Sequence, residues 1–125
     1  MGSEVDLESF VNRLSGDVLS RVGNHSLSGV SDCVYSILLR TLRALRLIPK
    51  RGPMAFDRLV NNYDDAVEII SRFVADNSSD IVSGCSGEFA EEYKAAPIVG
   101  RPMNPVIDRI VTKLIDYIIS WAHGE

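Results

Sequence analysis

The chain has 125 residues, a formal net charge of −4 and an apolar share of 46%. That length suits one domain, residues 1–125, with a core of its own, and the apolar share excludes a disordered chain. No apolar run approaches the roughly 18 residues of a membrane span, and the acidic start MGSEVDLESF lacks the basic head and apolar block of a secretory signal, so the expected location is cytoplasmic.

A first helix is predicted over residues 4–22. Ser3 and Asp6 stand at capping-box spacing. Leu7, Phe10, Val11, Leu14, Val18 and Val22 form one apolar arc, and Gly23 supplies a terminator. His25 falls in the loop that follows, where a surface position is the simple reading. A second helix is predicted from Ser31 to Ile48, stopping because a residue before proline resists helical dihedrals. Its core stripe is Val34, Ile37, Leu38, Thr41, Leu42, Leu45 and Ile48. Arg40, Arg43 and Arg46 lie on the other side, with Leu39 and Leu47 among them.

Pro53 is suited to the first position of a third helix. Met54, Leu59, Val60, Tyr63, Val67, Ile70, Phe73 and Val74 keep helical spacing from there to Ala75. Asn61-Asn62 is a candidate break, with Asn62 capping the second piece. Asp64, Asp65 and Glu68 oppose the positive end of that piece, a structural role ahead of metal binding. Residues 76–87, DNSSDIVSGCSG, read as a surface loop with one helical turn. A short helix over Glu88–Ala95 and an irregular connection through Pro97, Gly100 and Pro102 follow. The last helix starts with Asn104 as cap and Pro105 at its first position, and runs to Ala122. Its apolar residues cover roughly 220° of the circumference at about 100° per residue, more than one packing face needs. Such a helix is either central in a bundle or covered by another chain. The fold class is therefore all-α, a compact bundle of five to six helices.

Chemistry is sparse. His25 and His123 have no nucleophile and acid at motif spacing, and His123 stands where helix ends fray. Glu88, Glu91 and Glu92 read as a solvated face. No phosphate-binding loop, dinucleotide fingerprint or calcium loop is present. Cys33 and Cys85 match no zinc spacing. They are a reduced, buried pair in an ordinary cytosol or a disulfide in a hyperthermophile, a source weakly suggested by ten arginines against three lysines. The expectation is a protein that is not an enzyme and needs no metal or cofactor.

Charge is the one functional signal. From Arg40 to Arg58 there are six basic residues, Arg40, Arg43, Arg46, Lys50, Arg51 and Arg58, against Asp57 alone, a local charge of +5 beside −9 for the remainder. Such a patch suits a phosphate backbone or an acidic partner. The competing reading is a solvated face whose arginines pair with the chain's own acids. Phe56, Tyr63 and Phe73 are spaced for the core more than for base stacking. A helix-turn-helix regulator fits poorly, because the Pro49–Pro53 turn is proline-rich.

The segment Ala55-Phe56-Asp57-Arg58-Leu59-Val60-Asn61-Asn62, followed by Ala66-Val67-Glu68-Ile69-Ile70, resembles the small helical subunits of archaeal CRISPR interference complexes. The resemblance implies a non-catalytic ribonucleoprotein subunit in antiviral defence. Arg40, Arg43, Arg46, Lys50, Arg51 and Arg58 would then contact single-stranded RNA or DNA without reading sequence. The alternative is a protein-interaction module. It would self-associate or bind an acidic partner through Leu39, Leu47, Ile115, Ile119 and Trp121.

Overall fold

The structure, a computed structural model, describes residues 6–22, 27–86 and 105–124. They form α1 (Leu7–Val22), a 3-10 turn (Ser28–Val30), α2 (Ser31–Leu47), α3 (Arg51–Asn61), α4 (Tyr63–Asp76), α5 (Ser78–Ser86) and α6 (Pro105–Ala122), with no strand among the described residues. This is the all-α bundle that the periodicity predicts. Ser3, Gly23, His25, Asn104 and the segment from Glu88 through Pro102 lie outside the described residues.

Asp6 holds the start of α1. Its carbonyl accepts the Phe10 N–H at 2.9 Å and its carboxylate accepts the Ser9 hydroxyl at 2.7 Å, so this helix begins later than the expected Glu4. Helix α2 packs against α1, α3 and α6, while α4 packs against α1, α3 and α5. The bundle closes because α5 also packs on α6. Leu14, Leu38, Leu45, Val67, Ile70, Ile110, Leu114 and Ile118, each at the centre of its helix's apolar arc, are all buried. The broad apolar arc of α6 meets three neighbours within the chain, α2, α3 and α5.

Two elements differ from expectation. Helix α3 opens at Arg51, two residues before Pro53. Pro53 still falls in the first turn, where its missing N–H needs no intrahelical acceptor. The chain turns sharply from α2 through Lys50, whose φ is 68°. Gly52 then passes so close to the end of α2 that a Cβ there would lie 1.8 Å from the Leu45 carbonyl oxygen. Helix α5 replaces the expected loop over residues 76–87. Its serines, aspartate and glycine disfavour helix, but Ile81 and Cys85 are buried. Gly84 fits against Val106 and Ile107 of α6, where a Cβ would approach Val106 Cγ1 to 2.9 Å. Tertiary packing overrides propensity here.

Cys33 and Cys85 form a disulfide joining α2 to α5 across a separation of 52 residues. It is the principal direct tie between these helices, which otherwise meet through the 3-10 turn and α6.

Replacing Gly52 with Ala should cost about 2 kcal/mol or more, because the new methyl meets backbone that cannot move alone. Replacing both Cys33 and Cys85 with Ala should cost about 2–4 kcal/mol through the released loop. Urea unfolding of the oxidised protein and each variant measures both.

Candidate functional site

The basic residues divide by helix. On α2, Arg40 Nη2 lies 2.8 Å from Asp108 Oδ1 in the first turn of α6. Arg43 Nη2 donates to Glu8 Oε2 of α1 at 3.2 Å. Both pairs are partly exposed and contribute little to stability. Their consequence is local neutralisation: Glu8 and Asp108 lower the patch from +5 to +3. For these two arginines the solvated-face reading, with pairing to the chain's own acids, describes the arrangement.

The remaining cations cluster around α3. Arg46 stacks its guanidinium 5.0 Å from the centre of the Phe56 ring, and Arg58 does the same 5.6 Å from Trp121. Arg46, Lys50 and Arg58 have no carboxylate within ion-pairing distance among the described residues. Lys50 and Arg51 are exposed at the start of α3. Arg51, Met54 and Arg58 fall on one side of this helix, since spacings of three and seven residues return to one face. Leu47, next to the turn, is 81% exposed and Met54 59% exposed; they are the large exposed apolar residues of the described chain. The surface therefore combines two apolar side chains with cations that keep their charge.

Of the residues expected at an interface, Leu47 is fully presented. Leu39, Ile115, Ile119 and Trp121 are half-buried against the core. The sequence reading placed Met54 in an apolar helical series and His123 in a frayed end. The structure exposes Met54. It holds His123 by an N–H···O bond to the Ile119 carbonyl at 3.1 Å.

At its far end this surface runs into a cleft of about 300 Å³, lined by Met54, Asp57, Arg58, Asn61, Asn62 and His123. The Asn62 side chain donates back to the Arg58 carbonyl at 3.0 Å. It therefore does not cap α4, contrary to expectation. Beyond Asn62 the Tyr63 hydroxyl donates to Asp17 Oδ2 at 2.5 Å, and Arg13 lies 4.1 Å from the centre of the tyrosine ring. Burial, followed by the Asp17 hydrogen bond and its charge, pushes the Tyr63 hydroxyl well above the ordinary tyrosine range. Spacing gave no signal for this cluster, whose members are separated by 46 residues in sequence.

Among the described residues no group of acidic, histidine or cysteine side chains could hold a metal ion. No helix among them is long and apolar enough to cross a membrane. No family model, curated protein or solved structure matches the chain.

The Tyr63–Asp17 bond fixes a pH dependence. The hydroxyl must stay protonated to donate, so its folded-state pKa exceeds the ordinary value of 10.0. The bond's stabilisation is whole below that ordinary value and is lost as pH rises through the raised one. Alkaline unfolding should therefore be less steep in Tyr63→Phe than in the parent. Phenolate absorbance of Tyr63, taken as the difference between the two proteins, should emerge only well above pH 10.

Proposed function

We propose that the chain is a non-catalytic helical binding module that docks an acidic protein partner over α3 and the α2–α3 turn. The observation that carries this reading is the exposure of Leu47 and Met54 beside Arg46, Lys50 and Arg58. Apolar side chains gain nothing against a phosphate backbone, whereas a partner with both acidic and apolar residues uses both parts of the surface. The flexible thioether of Met54 suits such a contact. Charge complementarity would speed encounter and select the partner, with the buried apolar contacts supplying most of the affinity.

The ribonucleoprotein reading is the second proposal, favoured by the concentration of six basic residues against Asp57 alone between Arg40 and Arg58. In that form Arg46, Lys50, Arg51 and Arg58 touch single-stranded RNA or DNA, and the CRISPR-subunit resemblance gives the setting. Arg40 and Arg43 contribute less there, since each already faces a carboxylate. Self-association through Ile115, Ile119 and Trp121 has weaker support, because the arc that suggested it is covered within the chain.

One experiment separates these readings. Fluorescence anisotropy would be measured with an acidic amphipathic helical peptide and with single-stranded RNA and DNA, over a salt series. Docking of an acidic partner predicts that Leu47→Ala with Met54→Ala weakens peptide binding about tenfold or more. Binding to a backbone predicts that this pair changes little. Affinity should then fall with salt at a log–log slope of about 0.7 per phosphate contact, flattened by Arg46→Ala with Lys50→Ala.

A further inference from the structure

Helix α5 is held in place by few groups. Of its nine residues four are serine, one is aspartate and one is glycine, all of which disfavour helix. A helix so short does not persist on its own in water. Its anchors are the buried Ile81, the half-buried Val82, the fit of Gly84 against Val106 and Ile107, and the bond from Cys85 to Cys33 in the first turn of α2. The other helices are joined without it, since α2 packs on α1, α3 and α6, and α4 packs on α1 and α3. An element attached in this way is the kind that opens as a unit before the whole protein unfolds.

We propose that the Cys33–Cys85 bond is a redox latch on α5. Oxidised, it seals α5 against α2 and the start of α6. Reduced, it lets α5 detach while α1–α4 and α6 stay folded. The reductant is a dithiol. Its thiolate attacks one sulfur to form a mixed disulfide, and its second thiol resolves that intermediate. Two electrons and two protons pass to the protein, leaving two cysteine thiols and the disulfide of the reductant. Cys33 and Cys85 are each only 5% exposed, so the attacking thiolate reaches sulfur when α5 opens. The reduction rate therefore follows the population of the open form. Opening also uncovers the side of Ile107 on which Gly84 rests, a small apolar surface that the oxidised protein hides. In a reducing cytosol the latch stands open, and in an oxidising compartment it is shut. Cys33 lies in the first turn of α2 and Leu47 at its end, so the latch does not depend on the docking reading.

The test is reduction of the intact oxidised protein by dithiothreitol at neutral pH without denaturant. A chromogenic thiol reagent follows the rate, and hydrogen exchange compares the oxidised and reduced forms. In the reduced form the amides of residues 81–85 should exchange at least about a hundredfold faster than those of residues 38–42 in α2 and 67–71 in α4. Reoxidation should restore their protection. Cys33→Ala with Cys85→Ala should show the reduced pattern in either buffer. Ile81→Ala removes the main apolar anchor of α5 and should speed reduction of the oxidised protein at least about tenfold. Leu14→Ala makes a comparable cavity in α1, which packs on α2 and α4, and should leave the reduction rate unchanged. Far-ultraviolet spectra would confirm that each variant folds. A bond reduced only on global unfolding, α5 amides as protected as those of α2 in the reduced form, an unaltered rate in Ile81→Ala, or equal acceleration by Leu14→Ala would overturn the proposal.

Discussion

The passage of Gly52 against the Leu45 carbonyl sets the geometry on which the exposed surface depends. Helix α2 must end, and the chain must reverse within three residues, before α3 can lie against it. Lys50 takes the positive φ, and Gly52 donates to the Ile48 carbonyl at 3.1 Å. A residue with a side chain at position 52 would push α3 outward. Phe56 would leave the core edge where Arg46 stacks on it, and Arg58 would leave Trp121. The same reversal turns Leu47 out to solvent, since the last turn of α2 has no neighbour there. One close backbone contact thus fixes both the buried packing of α3 and the face it presents.

Much of the fold was legible because long amphipathic helices announce themselves by periodicity. The apolar arcs of α1, α2, α4 and α6 named core residues correctly. Helix α5 was not legible. Serine, aspartate and glycine compete with the helical backbone, and it is the burial of Ile81, the fit of Gly84 against α6 and the Cys33–Cys85 link that give that segment a reason to fold. The start of α3 at Arg51 was missed for a related reason: the sequence shows a proline but not the tight approach that starts the helix earlier.

The site was legible as charge and not as arrangement. A tally of six cations treats all as equivalent, yet Arg40 and Arg43 meet Asp108 and Glu8. Those acids lie on α6 and α1, far away in sequence, so local composition could not reveal the pairing. Met54 looked like a core residue because it shares an apolar series with Leu59 and Val60. The turn at Lys50 rotates it outward instead. His123 looked like a frayed terminus, but it sits in the turn that follows α6 and lines the same cleft as Arg58, so a residue discounted for its position becomes part of a cleft wall.

These placements support the binding reading proposed above. Tyr63 is fixed as a donor by Asp17, and both thiols are tied up in a disulfide. Among the described residues Arg46, Lys50 and Arg58 have no carboxylate within ion-pairing distance, and Leu47 and Met54 are exposed. Exposed apolar side chains cost the isolated chain solubility. These groups lie on α3, at the turn before it and at the cleft beyond it. A single contact along that line would cover the apolar side chains and meet the cations, which is why the α3 face is the proposed docking place.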